Sequence, residues 1–318
     1  MIAVYSFFQF MTENQLPKLG LVCITASHEV RFRTVTRRTL SKLSTSEQQA
    51  KLKAIYTANI ERLTKAIAFC CREQIELYRL SSALFPFADE SIGEAVLHEF
   101  KPQLAQIGAS AIEHCIRLVL HPNQFVVLNS DRKEVIENSF QILKTHAHIL
   151  DLMGLPRSPW ALMNIHGGKG DRAQRLVDNI QQLPENVYSR ITLENDENTY
   201  SSEAIAKICQ LAKIPMVFDA HHHLIHEKLD SYNHPSVGEM LALARTTWQQ
   251  PQWQLVHISN GKEHLHDTKH SDTIANMPAS FQNAPWIEVE AKHKEQAIWQ
   301  LRKEWLPSIR QQFSLQTS

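Results

Sequence analysis

Histidine and acidic side chains stand at the ends of short apolar runs in this 318-residue chain. The run "IRLVL" leads to one such histidine, and five later runs end in the same way. The side chains in question are His121, His166, Glu194, Asp219, His257 and Glu290, with His221, His222 and His223 closely following Asp219. Imidazole nitrogen and carboxylate oxygen together suit Zn, Mn or Fe(II), and no thiolate belongs to the set. These residue types predict a metal site with nitrogen and oxygen ligands.

The number of potential ligands exceeds what one metal ion needs, because a catalytic site usually has three or four protein ligands. We therefore expect two or three divalent metal ions. Clustered divalent ions lower the pKa of bound water, and a pair about 4 Å apart can stabilise both the attacking and leaving oxygens of a phosphoryl displacement. This chemistry favours phosphodiester hydrolysis. It leaves open sugar isomerisation, which also uses metal pairs.

The elements that must position these side chains are eight short apolar runs, each followed by a longer amphipathic or charged stretch. Near-continuous apolar runs of this length are typical of parallel strands that are covered on both faces. Strand and helix alternating eight times predict an α/β fold, a (β/α)8 TIM barrel, whose carboxyl strand ends meet at one face. An open doubly wound sheet is the second choice, but the chain has no glycine fingerprint for a nucleotide cofactor. The predicted strands lie within 18–25, 75–82, 116–122, 160–168, 190–196, 214–223, 253–259 and 286–292.

No Gly-, Ser- or Pro-rich linker divides the chain, so we expect one domain over 1–318, with an extension at 1–17 and a tail at 311–318. The opening "MIAVYSFFQFM" is too short for a membrane span and lacks the basic region of a signal peptide. We expect it to pack on the barrel floor. The five cysteines include no CxxC pair, which favours a reducing cytoplasm. We also expect a monomer.

The charge balance is neutral, with 33 Lys and Arg against 33 Asp and Glu, so a polyanion must be bound by a local patch. Such a patch lies after the first predicted strand, where Phe32 is interleaved with Arg31, Arg33, Arg37 and Arg38. Arginines can bind phosphates, and an aromatic ring can stack on bases. A solvated helix start explains the same residues without DNA.

Two further positions depend on strand periodicity. Alternation from Asp219 places His221 and His223 on its face and His222 on the other, so periodicity favours His221 as a ligand. In the last predicted strand, Lys292 shares a face with Glu288 and Glu290 and extends the basic rim. We expect Lys294 to begin a helix.

Together these segments resemble a known family, the UV damage endonucleases, which are metal-dependent TIM-barrel DNA repair enzymes. The resemblance extends from Leu19 to about Gln296, with the segments in family order. The matching segments are "FRTVTRRTL" (32–40), "YRLSSALFPF" (78–87), "LVLHPNQFVVLNS" (118–130), "HAHILDLMG" (146–154), "NIHGGKGDR" (164–172), "LENDE" (193–197), "FDAHHH" (218–223), "VHIS" (256–259), "HSD" (270–272) and "VEAKHKEQ" (289–296).

The resemblance implies an endonuclease that nicks double-stranded DNA immediately 5′ to UV photoproducts, using up to three divalent ions, which we expect to be Mn. It also implies that Gln124 and Phe125 form the wedge that the family inserts at the lesion, where a photoproduct already weakens stacking. We expect Glu194, His166 and Lys292 to serve in catalysis and Arg31, Arg33 and Arg37 to contact DNA. The implied metal ligands are His121, His166, Glu194, Asp219, His222, His257, His270 and Glu290, with His222 in place of His221.

The chain departs from the family pattern in three places. Ala83 stands where the family usually has an Asp or His ligand, and Leu255 where it commonly has a lysine. Leu21 and Thr25 replace the usual Tyr and Asn at the lesion face. Ala83 and Leu255 leave open a lesion-binding protein without catalysis. The same barrel chemistry leaves open an apurinic-site endonuclease and a metal-dependent sugar isomerase.

Overall fold

The computed structural model describes residues 16–316. The expected packing of the N-terminal segment on the barrel floor falls on residues 1–15 and lies outside the described residues. Within the described part of the chain, no helix is long and apolar enough to cross a membrane.

The sheet is a closed parallel barrel in which every strand pairs with its neighbours in chain order and β1 also pairs with β8. The predicted (β/α)8 barrel is confirmed. Each strand is four or five residues long, shorter than the apolar run that predicted it. The strands are β1 (Lys18–Val22), β2 (Leu77–Leu80), β3 (Arg117–Leu120), β4 (Met163–His166), β5 (Ile191–Glu194), β6 (Met216–Asp219), β7 (Leu255–Ile258) and β8 (Trp286–Val289).

The helices surround the barrel. Two helices lie between β2 and β3, and the last helix continues to Gln316, so most of the expected tail at 311–318 is helical. The helices are α1 (Arg37–Leu40), α2 (Thr45–Arg72), α3 (Ser91–His98), α4 (Lys101–Glu113), α5 (Lys133–Leu152), α6 (Ala173–Gln181), α7 (Glu185–Tyr188), α8 (Ser202–Ala212), α9 (Ala220–His226), α10 (Pro235–Arg245) and α11 (Glu295–Gln316).

The floor of the barrel is closed by a separate apolar cluster. Leu255 belongs to it, two residues below His257, so the position where the family commonly has a lysine is fully buried among apolar side chains. The cluster contains Leu77, Val119, Leu162, Val217, Trp248, Leu255 and Trp286. Arg117 is also buried here, and its guanidinium donates to the main-chain carbonyls of Pro159, Trp160 and Trp253. This floor leaves the opposite end of the barrel as the open face.

Candidate metal centre

Glu194, the last residue of β5, lies at the middle of the open face and is buried. Its Oε1 is 3.0 Å from His257 Nδ1 and 3.4 Å from His222 Nδ1, and its Oε2 is 3.2 Å from His121 Nε2. Burial raises the pKa of this carboxyl, but the nearby histidines, with His257 first, lower it well below its usual range. Glu194 is therefore an anion surrounded by imidazoles.

There are three groups of side chains in which the ligand atoms of each group lie within 4.8 Å of one another. Glu194 belongs to two of these groups, so its carboxylate bridges the two groups of side chains. The groups are His121, His166 and Glu194; Glu194, Asp219 and His222; and His257, Glu288 and Glu290.

Four buried atoms in these groups have no hydrogen-bond partner within the described residues: His166 Nδ1, Asp219 Oδ2, His257 Nε2 and Glu288 Oε1. A buried polar atom without a partner is costly, and such atoms call for an ion or water. His121 Nδ1–H donates to the carbonyl of Pro122, 2.9 Å away, which leaves Nε2 directed at Glu194. The orphaned atoms, the bridging carboxylate and the nitrogen and oxygen donor set all fit divalent metal ions.

The three consecutive histidines have three different environments, because α9 begins directly after Asp219. The Asp219 carboxylate caps this helix and accepts the backbone N–H groups of His221 and His222 at 2.7 and 2.8 Å. His222 then comes back toward Asp219 and Glu194. The periodicity argument for His221 was wrong, because it assumed that the strand continued past Asp219.

The other two histidines of the run contact structural partners. His221 is buried, with Nδ1 2.6 Å from the Tyr232 hydroxyl and Nε2 2.9 Å from the Asp267 carbonyl. His223 lies between the hydroxyls of Ser202 and Ser236, at 3.0 and 3.1 Å.

The remaining predicted ligands lie on the β7 and β8 side of the centre. His257 is buried, and its Nδ1 is 3.4 Å from Glu290 Oε1. Burial lowers the pKa of His257, but Glu194 and Glu288 raise it well above its usual value. His270 is more peripheral, with Nδ1 3.8 Å from Glu290 Oε2. The fold thus brings all eight predicted ligands to one end of the barrel.

A cavity of about 490 Å³ opens over this cluster. Gln124 lines it together with His121, His166, Glu194, His222, His270 and Glu290. Phe125, the next residue, is 68% exposed. The predicted wedge pair therefore lies beside the cavity, with Gln124 lining it and the Phe125 side chain largely exposed to solvent.

The arginines of the basic patch are exposed but differ in their contacts. Arg33 has its backbone N–H and carbonyl held by the buried Asn59 amide at 2.7 and 2.8 Å, which fixes where the side chain leaves the loop. Arg37 is bound to Glu90 and lies over the Phe87 ring, 4.7 Å from its centroid. Its assignment to DNA stays a prediction, and the ion pair is a competing role for it.

Lys292 and Lys294, both between β8 and α11, have different environments. Lys292 is exposed and its backbone N–H donates to Ser271, so its catalytic role stays a prediction. Lys294 precedes α11 in a left-handed conformation with φ 45°. Burial, and then the Arg79 guanidinium, lower the pKa of Lys294, whereas Glu290 acts in the opposite direction. Lys294 was expected only to begin a helix.

Three residues of the centre were not identified from the sequence as site residues. Asn164 donates to Glu194 Oε2 at 2.5 Å and accepts from Thr192 at 2.9 Å. Arg79 contacts both Glu288 and Glu290. The available signal was position, because Asn164 and Glu288 each stand two residues before a ligand, on the same strand face.

The structure also shows the surroundings of three positions that depart from the family pattern. Leu21 and Thr25 are fully buried, and the Thr25 hydroxyl accepts the backbone N–H of Val30 at 2.9 Å. Ala83 lines a second cavity, of about 380 Å³, together with Phe125.

Known proteins are similar to this chain in both sequence and fold. The sequence profile described as UV-endonuclease UvdE matches residues 17–316. A UV DNA damage endonuclease of Nostoc sp. is 54% identical over 93% of this chain and 92% of its own length. One from Deinococcus radiodurans is 49% identical over 90% and 95%. The crystal structure of SacUVDE superimposes with a TM-score of 0.75 at 26% identity, covering 90% of this chain and 98% of that one. The chain belongs to the UV-endonuclease UvdE family.

Proposed function

We propose that this protein nicks double-stranded DNA immediately 5′ to UV photoproducts by metal-dependent hydrolysis of the phosphodiester bond. The observation that carries the proposal is the Glu194 cluster, with its orphaned His166 and Asp219 atoms, at the cavity that Gln124 lines beside the exposed Phe125. The names of the Nostoc and Deinococcus relatives support the damaged-DNA substrate.

Divalent ions, which we propose to be two or three Mn, would be held by His121, His166, Glu194, Asp219, His222, His257, His270 and Glu290. When bound, such ions lower the pKa of water and neutralise charge on the phosphate. Asn164 fixes one oxygen of Glu194 by its hydrogen bond, so the bridging carboxylate keeps its orientation.

The DNA-binding side of the proposal depends on the loops around the cavity. The Phe125 ring can fill the gap that an extruded photoproduct leaves in the stack, and Gln124 can bond base edges exposed beside it. Arg31 and Arg33 are exposed on the adjacent loop, where they can contact phosphates. Such contacts make binding salt-dependent.

The test is a nicking assay on UV-irradiated duplex with Mn, using His166→Ala as the matched inactive variant. We expect cleavage by the wild type and a loss of at least 100-fold in the variant, because His166 is a proposed ligand. Cleavage by the wild type that is no greater than that by His166→Ala would contradict the proposal. An abasic duplex digested alongside separates the alternatives, since preference for it would indicate an apurinic-site endonuclease.

We also propose that the protein acts as a monomer in the cytoplasm. Its five cysteines are all free, which suits a reducing compartment. Light scattering after size exclusion measures the oligomeric state, and a dimer mass would contradict this assignment.

A further inference from the structure

Glu288 is a fully buried carboxylate beneath the metal centre, two residues before Glu290 in β8. Its Oε2 lies 2.7 Å from His257 Nε2 and 2.9 Å from Arg79 Nη1. The same Arg79 nitrogen lies 2.5 Å from Glu290 Oε1. One guanidinium therefore joins a predicted ligand to a carboxylate that was not predicted to be one.

His257 faces carboxylates on both sides of its ring. Nδ1 is directed toward Glu194 and Glu290, at 3.0 and 3.4 Å, whereas Nε2 is directed toward Glu288. Only Nδ1 shares its surroundings with two other predicted ligands. The two ring nitrogens of His257 therefore face different carboxylates.

We propose that Glu288 is a positioning residue whose charge lies against His257 Nε2, so that Nδ1 would be the nitrogen offered to a metal ion together with Glu194 and Glu290. Arg79 completes the arrangement by neutralising Glu288 and fixing Glu290. A carboxylate on the far nitrogen of a ligating histidine sets its tautomer and orientation and raises its basicity as a ligand. This inference rests on the proposed metal dependence of the site, not on the choice of DNA lesion.

The competing role for Glu288 is direct coordination, because its atoms also fit a group of three potential ligands. Both its Oε1 and His257 Nε2 are buried without a hydrogen-bond partner among the described residues. Against coordination, Oε2 already faces both His257 and the Arg79 guanidinium, and a metal ion there would sit beside a fixed positive charge. The two roles differ in what removal of the carboxylate does to metal stoichiometry.

The experiment is a Mn titration of the DNA-free protein by equilibrium dialysis with elemental analysis, on wild type, Glu288→Gln, Glu288→Ala and Glu290→Gln. We expect Glu288→Gln to bind as many ions as wild type at saturation, with about 10-fold weaker affinity. Glu288→Ala, which removes the carboxylate that faces Nε2, should weaken the affinity by roughly 100-fold. Glu290→Gln should lose one ion at saturation.

The matched control is Glu295→Gln. Glu295 is another fully buried carboxylate on the same side of the barrel, but it accepts only the backbone N–H groups of Ala26 and Ser27. Its Mn affinity should equal that of wild type. Far-UV circular dichroism of each variant in chelator checks folding, and Glu288→Gln remains usable where Glu288→Ala does not fold.

A lost ion in Glu288→Gln, as in Glu290→Gln, would make Glu288 a ligand and overturn the proposal. Unchanged Mn affinity in both Glu288 variants would overturn it equally. A wild type that binds no metal overturns this inference and the proposed function together. A wild type that binds Mn but does not nick irradiated DNA contradicts the proposed function alone.

Discussion

At the scale of single residues, three consecutive histidines have unrelated contact partners. His221 and His223 are held by hydroxyl and carbonyl groups away from the cluster, whereas His222 lies 3.4 Å from Glu194. Residue type alone cannot separate them, since each is a histidine on one short segment. The contact partners of each ring determine which of them can hold a metal ion.

Replacing His222 and His221 separately tests this assignment. We expect His222→Ala to lose metal at saturating Mn and to lose nicking, because a proposed ligand is gone. His221→Ala should keep its metal but unfold at a lower temperature, because the Tyr232 hydroxyl loses a buried partner, at a cost of about 1–3 kcal/mol. Metal analysis and thermal melts measure both effects. Metal loss in His221→Ala alone would reverse the assignment.

The exposed ring of Phe125 is the second feature at this scale. We expect Phe125→Ala to reduce the preference for irradiated over intact duplex by roughly 10-fold, because stacking on a base is worth about 1–3 kcal/mol. Metal content should not change, since Phe125 is not a ligand. Competition binding with both duplexes gives the ratio.

The control for the ring is Trp299→Ala, which removes another exposed aromatic side chain, on α11. It should leave the damage preference unaltered. If Phe125→Ala instead releases metal, the wedge assignment is wrong.

At the scale of elements, the loops of the open face are fixed from beneath by buried polar side chains. Asn59 of α2 holds the backbone of Arg33 and also donates to the Leu84 carbonyl at 2.7 Å. One amide therefore ties the loop after β1 to the loop after β2. Without the Asn59 amide, the backbone that carries the exposed Arg33 side chain would not be held in place.

Asn59→Asp places a carboxylate oxygen against two carbonyl groups that the amide now donates to. We expect a loss of roughly 2–4 kcal/mol in the free energy of unfolding, because a buried charge is left without a partner. DNA affinity should fall while metal content is retained. Urea unfolding and duplex binding provide the measurements.

Asn138→Asp is the matched control, since Asn138 is exposed on α5. It should change stability by less than about 0.5 kcal/mol. Equal stability losses in the two variants would show that Asn59 has no special role.

At the scale of the whole molecule, buried neutral histidines link stability to pH. Burial lowers the pKa of His146 from 6.5 to about 4, and its Nδ1 has no partner within the described residues. The folded state therefore binds this proton less readily than the unfolded state. The contribution to stability is complete above pH 6.5 and is lost as the pH falls toward 4.

His146→Leu should remove this part of the acid sensitivity. We expect the fall in unfolding free energy between pH 6.5 and 4 to be smaller than in wild type by up to about 3 kcal/mol. Urea melts at several pH values, in chelator so that metal release does not contribute, measure the difference. Identical pH profiles would show that His146 does not titrate between the two states.

Much of the barrel and of the ligand set could be predicted from the sequence. Apolar runs ending in His121, His166, Glu194, Asp219 and Glu290 indicated parallel strands with polar carboxyl ends, and the barrel brings these ends together. The periodicity argument for His221 does not apply, because the strand ends at Asp219 and a helix begins at Ala220. Arg79 and Glu288 were missed as partners because their contact joins strands far apart in the chain.

The sequence by itself determined the kind of atoms at the open face and the strands that carry them, because both depend on residue type and local periodicity. Only the tertiary structure decided which histidine nitrogen faces Glu194, which buried carboxylate faces the Arg79 guanidinium, and which arginine is already paired. Those outcomes depend on distances of about 3 Å between residues distant in sequence, which are fixed by closure of the barrel and the packing beneath it.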